Sequence, residues 1–399
     1  MRDIVGFCEQ SGVTFRTLPG IKDIADGIVS INSLREVLLE DLLGREEVQL
    51  DWDSIKDSVY NKAVLVTGAG GSIGSELCRQ IARLLPKQLI LIDKNEFNLY
   101  AIDRELQFIS TILKIFPHLC CVTDTAEMKK IFKLYQPDLV FHVAAYKHVP
   151  LLENHLRISM YNNIIGTRVV AKLADQYRTD TFVLISTDKA VHPTSIMGAT
   201  KRASEVLCQN YNLHSKTRYI TVRFGNVLDS SGSVIPLFRK QLANGGPLTV
   251  THPDISRYFM TIPEASVLIL QAATMNENGD IFVLDMGNPI KIRYLAEQMI
   301  KLSGKTINQD IRIEYIGLRP GEKLHEELFH QQEDIHDTAH PKIKRAKTRL
   351  FNWDDLLDIL DEIEIACTMQ DEIRLKKLLN QLVPEYQNQK IENLREVLC

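Results

Sequence analysis

The spacing of apolar positions changes repeatedly between Ala63 and His325. Short β-branched runs alternate there with stretches in which apolar residues recur at helical spacing. This alternation is typical of parallel strands joined by helices, so we predict an α/β fold, a doubly wound parallel sheet with a smaller C-terminal region. The strands with the clearest pattern are 63–67, 89–92, 139–143, 182–186 and 219–224.

Changes of pattern divide the chain into four regions. Residues 1–60 are expected to be the remnant of a preceding domain with its linker, and 61–230 the sheet core with the catalytic residues. Residues 231–330 are expected mainly to bind the substrate, and 331–399 to form a C-terminal helical extension.

Composition excludes several classes of protein. Of the 399 residues, 45% are hydrophobic and 25% charged, which is ordinary for a globular chain. Lys plus Arg number 47 against 51 Asp plus Glu, a balance too even for a nucleic-acid partner. We predict no membrane span in this chain, because no apolar run approaches the roughly 20 residues needed. The seven scattered cysteines form no C-x-x-C pair and favour reduced thiols, a cytoplasmic location and no metal.

A glycine-rich segment, TGAGGSIG at 67–74, follows the first predicted strand and precedes a helical pattern. Glycines in this context let backbone amides approach a pyrophosphate at a helix N-terminus. Asp93 ends the next strand, 25 residues after Gly68, where a carboxylate binds the adenosine ribose. We therefore predict a bound NAD, with NADP disfavoured, held here by Gly68, Gly71, Ser72, Ile73, Gly74 and Asp93.

The glycine spacing resembles that of the short-chain dehydrogenase/reductase superfamily. Further motifs occur in the order seen in its extended members that act on nucleotide sugars: VAAYKHVP at 143–150, NIIGT at 163–167, STDK at 186–189, RFGNV at 223–227, RYFM at 257–260 and RPGEK at 319–323. Within that branch, residues from about 34 to 330 resemble the UDP-N-acetylglucosamine 4,6-dehydratases of bacterial polysaccharide synthesis, to judge by the STDK and MGATK (197–201) motifs.

The resemblance implies a reaction in which NAD takes a hydride from C4, a base removes the C5 proton, the C6 hydroxyl leaves and the hydride returns to C6. Lys189 would be the C5 base, Asp188 the acid at C6 and Thr187 the holder of the C4 oxygen. Lys201 would hold the nicotinamide ribose. A base must be unprotonated, so we expect the pKa of Lys189 to be lowered by burial, by Lys201 and by the nicotinamide, with Asp188 opposing this shift.

Met197 departs from the superfamily, whose catalytic pair is Tyr-x-x-x-Lys. A thioether cannot move a proton, so Asp188 or Thr187 is expected to relay the C4 proton. Methionine here resembles the long, membrane-anchored subgroup of these dehydratases. The chain is therefore expected to be the soluble catalytic part of such a protein, at the inner face of the inner membrane where a full-length form carries an anchor.

The resemblance also supplies a binding site for UDP-N-acetylglucosamine. Ala144 and Ala145 lie in the loop expected under the nicotinamide ribose. The residues expected to bind the sugar nucleotide are Lys147, Asn226, Thr249, Arg257, Arg319 and Glu322. Three histidines (His142, His148 and His192) fit no metal-ligand spacing and are interpreted as structural. A homo-oligomer is expected, as in superfamily relatives.

Two alternative functions remain open. A nucleotide-sugar 4-epimerase would share the fold, the cofactor and C4 oxidation, but it needs no C5 base. A non-catalytic NAD-binding regulator could also lack the tyrosine, although retention of Thr187, Asp188, Lys189 and Lys201 argues against it. The configuration at C5 of the product is not fixed by these residues.

Overall fold

The computed structural model describes residues 16–17, 35–36, 50–109, 112–275, 281–331, 333–347 and 350–386. Most of the region expected to be the remnant of a preceding domain therefore lies outside the described residues. The strands of the described part are β1 (Arg16–Thr17), β2 (Arg35–Glu36), β3 (Ala63–Thr67), β4 (Gln88–Asp93), β5 (Ile115–Leu119), β6 (Leu139–His142), β7 (Thr181–Ile185), β8 (Arg218–Arg223), β9 (Asn226–Val227), β10 (Leu248–Val250), β11 (Ser256–Arg257), β12 (Phe259–Met260), β13 (Ile281–Leu284), β14 (Ile290–Lys291), β15 (Ile313–Tyr315), β16 (Asp334–Asp337) and β17 (Ile343–Lys347).

Helices alternate with the strands of the core. They are α1 (Trp52–Val59), α2 (Ser72–Arg83), α3 (Glu96–Ile109), α4 (Thr125–Tyr135), α5 (Val149–Leu152), α6 (Leu156–Met160), α7 (Gly166–Gln176), α8 (Ile196–His214), α9 (Val234–Ala243), α10 (Ile262–Thr274), α11 (Ile292–Leu302), α12 (Trp353–Met369) and α13 (Glu372–Leu382). A π-helical turn, Tyr161–Ile165, joins α6 to α7, and a 3₁₀ turn, Asp188–Ala190, follows β7.

The central sheet confirms the predicted doubly wound fold. Its strands lie in the order β16-β17-β13-β8-β7-β6-β3-β4-β5, and the seven from β13 to β5 are parallel. The five predicted strands agree with the structure to within one residue at each end. The sequence pattern did not identify β5, which carries Pro117 at the sheet edge, as edge strands tolerate.

Both faces of the sheet are buried, as expected for parallel strands. Alternate residues of β3 point to opposite sides, so Leu65 enters one core while Val64 and Val66 enter the other. The first core contains residues of α8, α12 and α13, and the second contains residues of α1, α2 and α10. The loops at the carboxyl ends of the strands are thereby held on a rigid base.

The C-terminal part of the chain differs from a purely helical extension. Strands β16 and β17 pair antiparallel with each other, and β17 pairs with β13, which extends the central sheet. Helices α12 and α13 follow and pack on the region of α6, the π turn and α8. Segments between 226 and 315 build a smaller lobe with three two-stranded sheets and its own core around Phe238 and Leu248.

None of the helices within the described residues is both long enough and apolar enough to cross a membrane.

Candidate functional site

The glycine-rich loop connects β3 to the N-terminus of α2. Gly68 has φ +67°, a backbone conformation that favours glycine. A Cβ at Gly74 would lie 2.0 Å from the carbonyl oxygen of Gly68. The two glycines therefore allow the tight turn and the close packing of helix on strand that leave the amides at the start of α2 facing outward.

Asp93 ends β4 beside this loop. Its Oδ2 accepts a hydrogen bond from the amide of Gly70 at 2.9 Å, and its Oδ1 accepts one from the amide of Asn95 at 2.9 Å. The carboxylate thus fixes the glycine-rich loop as well as facing the space next to it. Lys94 turns away from that carboxylate, with its ammonium 3.6 Å from the centre of the Tyr146 ring.

A cleft of about 660 Å³ opens above these loops, and we call it the larger cleft. Predicted cofactor residues along it are Gly68, Gly71, Ser72, Ile73, Asp93, Ala144, Ala145 and Lys201. Gly74 is not among the described residues that line it, and its place is the contact between helix and strand. Cys120, Cys121 and Val122 border the same cleft. Its size is in the range of small-molecule and cofactor sites.

Met197 and Lys201 reach the cleft from the first turns of α8. Ser195 caps this helix by accepting a hydrogen bond from the amide of Gly198 at 3.1 Å. A Cβ at Gly198 would lie 2.2 Å from the carbonyl oxygen of Lys189, so glycine lets α8 pack directly on the 3₁₀ turn that follows β7. Burial lowers the pKa of Lys201 to about 8.

A second cavity, of about 240 Å³, lies between the central sheet and the smaller lobe, and we call it the smaller cavity. Every residue predicted to bind the sugar nucleotide lines it: Lys147, Asn226, Thr249, Arg257, Arg319 and Glu322. Arg257 is buried, and its guanidinium donates to the carbonyl oxygen of Lys323 at 2.8 Å and to Glu322 Oε1 at 3.3 Å. Arg319 is exposed at the rim.

The larger cleft and the smaller cavity meet at Lys189, which lines both. Its Nζ donates to Asp188 Oδ1 and to Asn226 Oδ1, each at 3.0 Å. Lys147 and His148 also border both spaces. A ligand in one space can therefore reach a ligand in the other at this amine.

The pKa of Lys189 corrects an expectation. It is raised, although burial and the positive charge of Arg257 act to lower it, because the carboxyl groups of Asp188 and Glu326 outweigh them. In the structure Lys189 therefore holds its proton, and a reaction that uses it as a base must start from a form that has lost that proton.

Asp188 lies beneath this amine. It is fully buried and is not among the described residues that line either space. Its Oδ1 accepts a hydrogen bond from Thr187 Oγ1 at 3.0 Å, whereas its Oδ2 has no hydrogen-bond partner within the described part of the chain. Thr187 does line the larger cleft, so any exchange between Asp188 and a ligand there is routed through Thr187 or Lys189.

Two residues of the site were missed by the sequence analysis or interpreted differently. Glu326 was not singled out, yet it is buried, lines the smaller cavity and lies 3.6 Å from Lys189 Nζ. Its neighbour Glu327 is half exposed, and nothing in the sequence distinguishes the two glutamates. His148 was interpreted as structural but borders both spaces. His142 is structural, because its ring nitrogens contact the hydroxyls of Thr67 and Thr167 in the core.

The chain is similar to proteins of polysaccharide synthesis. The family model described as polysaccharide biosynthesis protein matches residues 64–348. The capsular polysaccharide biosynthesis protein CapD of Staphylococcus aureus is 47% identical over 349 residues, which are 87% of this chain and 58% of CapD. The chain thus spans less than two thirds of that relative. A UDP-glucose 4-epimerase of Rickettsia bellii is 32% identical over 278 residues, 68% of this chain and 79% of the epimerase.

Two solved structures are similar to this chain. Pen from Bacillus thuringiensis superposes with a TM-score of 0.67 at 31% identity, over 73% of this chain and 90% of Pen. DesIV from Streptomyces venezuelae, a dTDP-glucose 4,6-dehydratase solved with NAD and TYD bound, shares the fold at a TM-score of 0.60 and 19% identity, over 79% of this chain and 99% of DesIV. On the match over residues 64–348 and the identity to CapD, the chain belongs to the polysaccharide biosynthesis protein family.

Proposed function

We propose that this chain catalyses the NAD-dependent 4,6-dehydration of UDP-N-acetylglucosamine to a UDP-4-keto-6-deoxy sugar for surface polysaccharide synthesis. The observation that carries the proposal is the position of Lys189, which borders both the larger cleft and the smaller cavity. Removal of the C5 proton needs a base between a nicotinamide and a sugar, whereas oxidation at C4 alone does not. The match to CapD supports the role in polysaccharide synthesis.

The larger cleft fits NAD. Gly68 and Gly71 offer backbone next to the start of α2, where a pyrophosphate binds, and Asp93 faces the position of the adenosine ribose. Ala144, Ala145 and Lys201 would border the nicotinamide half. NAD bound here would accept the C4 hydride and return it to C6.

Thr187 and Asp188 support transfer of the C4 proton. Thr187 lines the larger cleft and donates to Asp188, so its hydroxyl can pass a proton from the C4 oxygen to that carboxylate. This route needs no tyrosine, and Met197 can then act by packing alone. Lys189 would next remove the C5 proton. The resemblance also gives Asp188 the acid role at C6, which stays a prediction.

The smaller cavity supports binding of the UDP end. The buried guanidinium of Arg257 and the exposed one of Arg319 can neutralise a diphosphate, while Thr249 borders the position proposed for uracil and Glu322 can accept a ribose hydroxyl. Lys147 and Asn226 border the sugar next to Lys189. A cytoplasmic location and a homo-oligomer belong to the same proposal, and the five cysteines of the described residues are free thiols.

The test is a proton NMR time course of UDP-N-acetylglucosamine with protein and NAD in deuterated water. Dehydration gives a new 6-deoxy methyl signal, and base action puts deuterium at C5. If the protein binds NAD yet turns over no UDP-hexose and exchanges no C5 proton, the regulator interpretation replaces the proposal.

A second candidate function is nucleotide-sugar 4-epimerisation, which the 32% identity to a UDP-glucose 4-epimerase favours. The same time course separates the two. An epimerase would give UDP-N-acetylgalactosamine with its C5 proton retained and no methyl signal.

A further inference from the structure

A second carboxyl group, that of Glu326, faces Lys189 from the loop before β16. Its Oε1 lies 3.6 Å from Lys189 Nζ and 3.7 Å from Arg257 Nε. Its Oε2 is buried and has no hydrogen-bond partner among the described residues. Unlike Asp188, Glu326 lines the smaller cavity. A buried polar atom without a partner is costly, so this oxygen at the wall of the cavity calls for an explanation.

The surroundings of Glu326 favour its neutral form, chiefly through burial. Burial raises its pKa and Asp188 acts in the same direction, against the lowering effects of Lys189, Arg257 and Lys323. When Lys189 is neutral, as a base must be, its lowering effect disappears and Glu326 holds a proton more firmly still. Neutral Lys189 and protonated Glu326 therefore favour each other, and together they form an adjacent base and acid.

We propose that Glu326 is the catalytic acid that protonates the C6 hydroxyl as it leaves, on one side of the sugar, while Asp188 serves the C4 hydroxyl on the other. This assignment rests on the proposed dehydration, and it replaces the acid role at C6 that the resemblance gives to Asp188. The separation of 3.6 Å between Glu326 and Lys189 suits groups that act on adjacent carbons. It also gives the unpaired Oε2 a partner, the C6 hydroxyl.

In the elimination, the C5–H bond breaks and its proton goes to Lys189 Nζ, while its electron pair forms the C5–C6 double bond. The C6–O bond breaks, the oxygen takes the proton of Glu326 and leaves as water, and Glu326 becomes a carboxylate. The double bond is then saturated when C6 regains the hydride first removed from C4 and Lys189 returns a proton to C5. The proton released from the C4 hydroxyl to Asp188 can then pass through Lys189 to Glu326, which restores the starting state.

The test compares Glu326→Gln and Asp188→Asn with wild-type protein, with NAD and UDP-N-acetylglucosamine in deuterated water. Three quantities are followed: absorbance of reduced nicotinamide, deuterium at C5 of recovered substrate, and the 6-deoxy product. In Glu326→Gln the product should fall by about 10²- to 10³-fold, the usual contribution of a general acid. Formation of reduced nicotinamide and exchange of the C5 proton should persist in this variant. In Asp188→Asn, by contrast, reduced nicotinamide, C5 exchange and the 6-deoxy product should all be lost.

Two further variants guard against misfolding. Glu326→Asp keeps an acid and should recover part of the product, while Glu327→Gln, the neighbouring and half-exposed glutamate, should stay within about threefold of wild type because exposed pairs contribute little. Product formation by Glu326→Gln close to wild type overturns the assignment. So does parallel loss of oxidation, exchange and product, which would mean a positioning role. Wild-type protein that forms no 6-deoxy sugar would refute the proposed function itself.

Discussion

The larger cleft and the smaller cavity are built in different ways. The cleft is formed largely by segments that follow β3, β4, β6, β7 and β8, so their spacing is set by the sheet. The cavity is formed by segments from 147 to 326 that meet through side chains, with Arg257 holding the loop at 322–326. Backbone geometry thus dominates the first site, and paired charges dominate the second.

This difference predicts that substitutions will separate the two functions. A change at Lys189, where the two spaces meet, should stop chemistry without loss of either ligand. A change in the glycine-rich loop should weaken NAD binding. A change at Arg257, which holds the loop at 322–326, should weaken binding of UDP.

The largest effect is expected for Lys189→Ala. Within the described chain, Lys189 and Lys147 are the two lysines that border both spaces. Removal of the Lys189 amine should lower C5 exchange by about 10³-fold or more, since general base catalysis typically contributes 10² to 10⁴. NAD should remain bound. The rate of deuterium incorporation at C5 checks this, with NAD titration as control, and retained exchange would shift the role of base to Lys147.

Gly74→Ala tests the larger cleft, where backbone geometry dominates. The new Cβ would lie 2.0 Å from the carbonyl oxygen of Gly68, so the helix must move away from the strand. We expect the free energy of unfolding to fall by about 1–3 kcal/mol, as for other overpacked positions. NAD affinity should fall about 100-fold with it, measured by calorimetry. The control is Gly245→Ala on the smaller lobe, where the φ of +85° makes alanine costly to stability although no atom lies within 4 Å of the new Cβ. This variant should leave NAD affinity unchanged.

Arg257→Met tests the smaller cavity, where paired charges dominate. Charge-assisted hydrogen bonds contribute about 1.5–3 kcal/mol, so the affinity for UDP should fall roughly 10- to 100-fold. NAD affinity should stay the same, because Arg257 borders only the smaller cavity among the two described spaces. Equal weakening of both ligands would mean that the two sites do not fold independently.

The sequence allowed the larger cleft to be predicted in more detail than the smaller cavity. Gly68 and Asp93 follow predictable strands, so their places could be inferred from spacing alone. The buried state of Glu326 depends on an irregular loop, and no periodicity distinguishes it from Glu327. The raised pKa of Lys189 depends on Asp188 together with that same glutamate, and the expected lowering was wrong because the second carboxyl group was not foreseen.

The pH profile of product formation tests the charges at the junction. Since the pKa of Lys189 is raised, most of the protein carries it protonated, and the rate should climb by about tenfold per pH unit on the acid side. Lys201, with a pKa of about 8, loses its charge above that pH, so the climb should then level off because the two effects oppose each other. Lys201→Arg keeps the charge and should let the climb continue to higher pH. A plateau that is unchanged in this variant would exclude Lys201 as its cause.

The smallest effect is expected for Met197→Tyr, which restores the residue that the superfamily places here. Met197 is 3% exposed but borders the larger cleft, so a tyrosine ring can extend into the cleft with limited overpacking. If Thr187 and Asp188 carry the C4 proton, the added hydroxyl is redundant, and product formation should change by less than about fivefold. Met197→Phe has the same ring without the hydroxyl and separates the two effects. Higher product formation in the tyrosine variant alone would show that its hydroxyl reaches C4. Loss of product formation in both variants would instead show that packing at Met197 is as restrictive as packing at Gly74.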